Sequence, residues 1–226
     1  MLKSTINETI VLPYNDIEAV RNAIKQNKGD IAAIILEPIM HNCGCILPEN
    51  GYLETLRELT TENDIFLIFD EVITGFRHDL GGVQKIFGIK PDISTFTKSM
   101  ANGYPIAAIC GRTDVMKRFK TSKDGDVFFA GTYNAHPISL AAAKATIGEL
   151  EKPKIYRRLY KLGKMMRENL SKAAEEYGII AQVKGFGSIF ITYFTNTPIT
   201  KYEDIPNGGL DNIRIKYRRG MLENGI

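Results

Sequence analysis

A doubly wound, mainly parallel α/β sheet is the fold this sequence predicts, on three observations. Ile31–Leu36 and Ile65–Phe69 are short continuous apolar runs, the pattern of strands buried on both faces. Amphipathic helical patterns stand before and between them. Glycine- and proline-bearing loops punctuate the alternation, and strands that alternate with helices argue for a parallel sheet.

Taken in order, Ile6–Leu12 reads as extended. Asn15 or Asp16 is placed to cap a helix whose Ile17, Val20 and Ile24 share one face, with Gly29 ending it. After the first apolar run, His41–Pro48 is a loop, and Asn50 is expected to cap a helix carrying Leu53, Leu56 and Leu59. The second run stops at Asp70 and leads into a polar segment through Thr74-Gly75 and Gly81-Gly82. Asp92–Phe96 reads as a strand ending near Lys98, and Ile106–Cys110 as another. His136–Leu150 is an alanine-rich helix with a proline at its start, and Ile155–Tyr177 a long amphipathic one. From Ile179 the texture changes. Ile179–Val183 and Ser188–Phe194 form an expected strand pair separated by Gly185 and Gly187, and a last helix is expected over Leu210–Glu223. The expected division is 1–150, part of a large domain, and 151–226, part of a smaller C-terminal α+β domain that starts with the long helix.

Composition narrows the function classes. The 226 residues are 44% hydrophobic and 24% charged, which excludes long disorder and supports a substantial core. No apolar run approaches the ~20 residues of a membrane span. Met1–Thr5 lacks the apolar core of a signal peptide, so a cytoplasmic location without membrane partners is expected. Three cysteines cannot supply a disulfide framework. Net charge is −3 over residues 1–150 and +6 over 151–226. Much of the excess is Lys154, Arg157, Arg158, Lys161, Lys164 and Arg167 at helical spacing. With Ile155, Leu159, Leu162 and Met166 opposite and no aromatic interleaving, this reads as a solvated helix face rather than a nucleic-acid surface. Cys43-Gly44-Cys45 near His41 has poor spacing for a tetrahedral zinc site, so no metal is expected. Gly185-Phe186-Gly187 lies between two strands instead of opening a helix, and reads as a turn rather than a nucleotide loop.

In doubly wound sheets, ligands sit beyond the carboxyl ends of the strands, and Asp70 and Lys98 fall at two such ends. Taken singly, Asp70 is equally a cap or a structural ion pair, and Lys98 a surface residue with a snorkelling stem. A desolvated amine at a sheet mouth is, alternatively, a nucleophile. Together they carry a resemblance. Asp70-Glu71-Val72-Ile73-Thr74-Gly75-Phe76-Arg77, then Lys98 ahead of a glycine-containing turn, resembles the signature of the class III pyridoxal-phosphate-dependent aminotransferases. Glu37-Pro38-Ile39 and Ala130-Gly131-Thr132-Tyr133-Asn134-Ala135-His136-Pro137 resemble two further family segments. Pro13-Tyr14-Asn15-Asp16, Tyr193-Phe194-Thr195 and Tyr202-Glu203-Asp204 are similar to the glutamate-1-semialdehyde 2,1-aminomutase subgroup.

The resemblance implies fold type I, with pyridoxal 5'-phosphate as cofactor and a small amino or oxo acid as substrate. It implies that Lys98 forms the Schiff base with the cofactor and shuttles the proton. Asp70 would pair with the pyridine nitrogen and keep it protonated, which makes the ring a better electron sink. Val72 would pack on the ring face, or be ordinary core. Thr132 would reach the cofactor phosphate of the neighbouring subunit of a homodimer, or be a turn hydroxyl. Asn42 would lie near the ring hydroxyl. Glu37 orders the site or belongs to a structural ion pair. The runners-up are a class III ω-amino-acid or amino-sugar aminotransferase and an inactive remnant of such an enzyme. Ser99-Met100-Ala101-Asn102-Gly103-Tyr104-Pro105 departs from the subgroup's glycine-rich run and is closer to aminomutase-like aminotransferases. Complete family members are longer, and nothing before Ile31 resembles their phosphate-binding turn or ring-stacking aromatic residue. The chain is therefore expected to be a fragment that, alone, binds the cofactor weakly and does not turn over.

Overall fold

The computed structural model describes residues 6–120, 123–206 and 212–226. Its main sheet has four strands in the spatial order β1 (Ala33–Leu36), β2 (Phe66–Asp70), β3 (Ile93–Phe96) and β4 (Ala108–Gly111). β1, β2 and β3 run parallel, with Leu36 opposite Phe69 and Asp70 opposite Thr95. β4 returns antiparallel, Phe96 opposite Ala108. The reversal follows from the connection between β3 and β4, which is too short for the crossover a parallel neighbour requires. Of Ile6–Leu12, expected to be extended, residues 6 and 7 are helical and none joins a strand.

The helices form where apolar spacing and caps coincide. In α1 (Ile17–Gln26) the Asp16 carboxylate accepts from the Ala19 amide at 2.8 Å, and Val20, Ala23 and Ile24 are buried. In α2 (Tyr52–Glu62) the buried residues include Leu53, Leu56 and Leu59. Its N-cap is Gly51, left-handed at φ 83° and without a side-chain cap, where Asn50 was expected. The turn that bonds the Tyr52 amide to the Glu49 carbonyl (3.0 Å) needs that positive φ, which glycine takes without penalty. α1 packs on α2, and α2 on β2. Leu67 and Phe69 of β2 are fully buried, each worth about 1.5–3 kcal/mol of transfer free energy. Burial on both faces does not hold along the runs: Ile35 is 64% exposed and Phe66 39%.

Two short helices were not read from the sequence, α3 (Gly82–Phe87) and α4 (Thr113–Met116). α5 (Pro137–Leu150) brings Ala143 into a cluster with Phe96, Met100 and Ala101, and Phe76 and Ile106 pack against it. α6 (Pro153–Glu176) continues the chain, with Tyr156 donating to the Phe76 carbonyl at 3.0 Å. Further on, α6 meets the antiparallel hairpin of β5 (Gln182–Phe186) and β6 (Ile189–Tyr193). Arg167 donates to the Gly187 carbonyl at 2.6 Å, and a Cβ on Gly163 would overlap that same carbonyl. α7 (Asn212–Glu223) is the last helix; its expected start, Leu210, lies outside the described residues.

The chain forms two compact units that interleave in sequence. One comprises residues 1–12, 16–38 and 49–156; the other comprises 13–15, 39–48 and 157–226. The second unit has its own core of Ile46, Tyr193, Ile199 and Ile205, with Tyr14 and Met40 against it. Tyr193 donates to the Gly44 carbonyl at 2.7 Å, and burial pushes its hydroxyl up to about 12.

At the amino end of β3, Asp92 ties the first unit together. Its carboxylate, 4% exposed, accepts from the Leu67 amide at 2.8 Å, Arg57 of α2 at 2.8 Å and Arg112 beyond β4 at 2.9 Å. Burial opposes its charge, but the Leu67 amide and the two guanidinium groups outweigh it and hold the carboxyl below its ordinary value. The depressed value means that the stabilisation is present above the unfolded-state value of 3.8 and is lost as pH falls through the lower folded value. Asp92→Ala, which leaves Arg57 and the Leu67 amide uncompensated, is expected to lower stability by about 3–5 kcal/mol in urea unfolding at neutral pH. The difference should shrink when unfolding is repeated in acid.

Candidate active site

Parallel pairing sets the site. Because β1, β2 and β3 run the same way, the residues that leave their carboxyl ends, Glu37, Asp70 and Lys98, all emerge along one edge of the sheet. Asp70, the last residue of β2, is half-buried; its Oδ1 accepts from the Val72 amide at 2.9 Å and faces the Thr95 hydroxyl at 3.5 Å. The turn is closed from its other side by the Glu71 amide, which donates to the Thr95 carbonyl at 3.0 Å.

Lys98 opens a single 3-10 turn, Lys98–Met100, and is exposed. Its φ of 44° lies in the left-handed region, where a non-glycine residue costs on the order of 1–3 kcal/mol. The turn tolerates this because its next residues are anchored. Met100 and Ala101 are buried, and the Lys98 carbonyl accepts from the amides of Ala101 (3.3 Å) and Asn102 (3.1 Å).

Glu71, inside the motif but assigned no role from sequence, is the buried support of this edge. It is fully buried and accepts from the Thr74 hydroxyl (2.7 Å) and from the Val83 (2.8 Å) and Gln84 (2.9 Å) amides at the start of α3. Gly82, at φ 72°, lets the backbone come this close, since a Cβ there would overlap the carboxylate. Burial raises the Glu71 carboxyl above its ordinary 4.5, and the Gln84, Thr74 and Val83 donors moderate the rise. The signal available in sequence was a second acid directly after the strand, with Thr74 three residues on and the glycine pair ahead of α3.

The remaining predicted residues are placed as follows. Val72 is half-buried next to Asp70, Glu37 is half-buried, and Thr132 is exposed ahead of α5. Asn42 is exposed and belongs to the second unit. In that unit, burial pushes the Cys45 thiol up to about 11, against the Phe186 backbone and Arg167, and its Sγ lies 3.1 Å from His41 Nδ1. Among the described residues no three His, Cys, Asp or Glu side chains come together to hold a metal, and no helix is long and apolar enough to cross a membrane.

A mainly parallel sheet offering an amine and a carboxylate from adjacent strand ends is the architecture of a fold type I aminotransferase. The class-III aminotransferase family model matches residues 2–213, and the chain belongs to that family. It is 44% identical over 224 residues to the glutamate-1-semialdehyde 2,1-aminomutase of Methanococcus maripaludis, covering 99% of this chain and 52% of that protein. The same figures hold for the aminomutase of Methanocaldococcus jannaschii. The chain thus spans about half the length of the curated relatives it matches. Among solved structures, an omega-transaminase from Sphaerobacter thermophilus superposes with a TM-score of 0.86 at 32% identity, covering 94% of this chain and 48% of that one. A glutamate-1-semialdehyde-aminomutase from Pseudomonas aeruginosa in complex with PMP superposes with a TM-score of 0.76 at 26% identity, covering 87% and 44%.

The raised Glu71 value fixes the sign of a pH effect. The unfolded chain releases this proton first, so the associated stability is full below 4.5 and is lost as pH rises through the folded value. Glu71→Gln is expected to destabilise the first unit by about 1–3 kcal/mol, because an amide nitrogen meets donors it cannot accept from. It should also remove this component of the pH dependence, measured by urea unfolding between about pH 4 and pH 8.

Proposed function

We propose that this chain provides the lysine-bearing part of a pyridoxal-phosphate-dependent enzyme that moves an amino group, as its aminomutase relatives' name describes. The observation that carries the reading is the pairing of Asp70 with Thr95, which brings the β2 carboxylate and the lysine that follows β3 to one edge. The donor set fits the cofactor: an exposed amine for its aldehyde carbon, and a half-buried carboxylate for a protonated ring nitrogen. Lys98 and Asp70 would hold it there. Val72 would face the ring, Asn42 its hydroxyl and Thr132 the phosphate of a neighbouring subunit, while Glu37 orders the edge. When bound, pyridoxal phosphate supplies an electron sink for the substrate carbon that loses a proton. Lys98 carries that proton at its Nζ. The Asp70 carboxylate holds the ring-nitrogen proton, itself fixed by the Val72 amide. A small amino or oxo acid is the substrate class. A homodimer is supported by the apolar side chains exposed around Thr132, with Phe128 77% and Tyr133 81% exposed. Residues 1–150 would then be part of the cofactor-binding large domain and 151–226 part of the smaller C-terminal one.

The omega-transaminase likeness favours a second reading, in which a separate oxo acid accepts the amino group. A chimera in which this chain replaces the matching half of the Methanococcus maripaludis aminomutase tests both. It is expected to convert glutamate 1-semialdehyde without an added amino acceptor; dependence on an added oxo acid would select the second reading. Lys98→Ala should abolish borohydride-trapped cofactor and turnover together. Asp70→Asn should retain cofactor and cut turnover by about a thousandfold, roughly 4 kcal/mol of barrier. Trapping on another lysine, or near-normal turnover in Asp70→Asn, overturns the assignment.

A further inference from the structure

The antiparallel ladder between β3 and β4 ends at the pair Phe96 and Ala108, just before Lys98. Beyond it the chain makes the 3-10 turn at Lys98 and passes through Asn102 (φ 47°) and Gly103 (φ 112°) before Pro105. Pro105 has no amide hydrogen, so it donates to no further rung. A side chain makes the next tie instead: the Thr97 hydroxyl donates to the Ile106 carbonyl, closing the loop at its base. Inside the loop the Thr97 carbonyl accepts from the Met100 amide at 3.0 Å, and the Lys98 carbonyl from Ala101 and Asn102. Ile106 itself packs against the cluster of Phe96, Met100, Ala101 and Ala143. Thr97 therefore holds the flanks of Lys98 from both its backbone and its side chain, while Lys98 stands exposed in a backbone conformation its residue type disfavours.

We propose that Thr97 is a positioning residue for Lys98: its hydroxyl, tied to Ile106, holds the loop closed and aims the lysine amine for Schiff-base formation. This rests on the reading of Lys98 as the cofactor-bearing lysine. The role requires a hydroxyl donor directly before the lysine. Serine satisfies that requirement, and valine, of the same shape, does not.

The test uses the chain itself with added pyridoxal phosphate, borohydride reduction and peptide mapping by mass spectrometry. Lys164 and Lys172, whose side chains are 71% and 73% exposed on α6, serve as internal references for ordinary surface amines. Wild-type protein should carry adduct at Lys98 well above both references. Thr97→Val should lower the ratio of Lys98 to reference labelling by about tenfold, the size of effect expected when one hydrogen bond is lost. Labelling at Lys164 and Lys172 should stay constant. Thr97→Ser should keep the wild-type ratio. A wild-type ratio near one overturns the reading of Lys98, and the proposal with it. Preferential wild-type labelling that survives in Thr97→Val overturns the positioning role alone. Loss of the ratio in Thr97→Ser overturns the proposal even where Thr97→Val fails to fold.

Discussion

The parallel pairing of β2 with β3 is the constraint on which the candidate site depends. A peptide ladder fixes register in steps of one residue, and a slip by one turns every side chain to the opposite face. With Asp70 opposite Thr95, the acid stands on the β3 residue three before Lys98, and Thr95 uses both its carbonyl and its hydroxyl toward the β2 end. A one-residue slip would turn the Asp70 carboxylate away and bring Glu71 out of its buried pocket. The apolar side chains of Leu67 and Phe69 oppose such a slip, because it would carry them out of the core.

Two buried carboxylates stabilise opposite ends of this arrangement by opposite electrostatic means. Asp92 meets two guanidinium groups and the Leu67 amide, which outweigh burial and hold its carboxyl below the ordinary value. Glu71 meets only neutral donors, so desolvation dominates and its proton is held more tightly. The two therefore respond to pH in different windows. The amino end of β3 loosens in acid, and the turn after β2 becomes less stable as pH rises.

Much of the first unit was legible in the sequence, because apolar period and strand length decide it. Leu53, Leu56 and Leu59 are buried as their spacing requires, and Asp70 and Lys98 stand at strand ends as the runs before them indicate. What could not be read depends on partners distant in sequence. The reversal of β4 follows from a loop length, the cap of α2 from a left-handed glycine, and the burial of Glu71 from amides twelve and thirteen residues on. Polar residues inside a loop give no periodic signal, so Thr97 looked like any threonine. The exposed faces of Ile35 and Phe66 show the limit of run-based reasoning: a continuous apolar run indicates a surface suited to burial, not the neighbour that covers it.

The interleaving of the two units has a consequence for biosynthesis. Residues 39–48 lie between β1 and α2 in the chain, yet their core partners Tyr193, Ile199 and Ile205 come about 150 residues later. At a ribosome adding roughly 5–20 residues per second, Ile46 and Gly44 wait on the order of ten seconds for the segment that covers them. The sheet of the first unit can assemble during that interval, so its β1–α2 connection must remain an open strap until the hairpin of β5 and β6 has been made. A nascent chain stalled before residue 190 would present that strap, including the Cys45 thiol that the finished fold buries, to whatever chaperones or oxidants surround the exit tunnel.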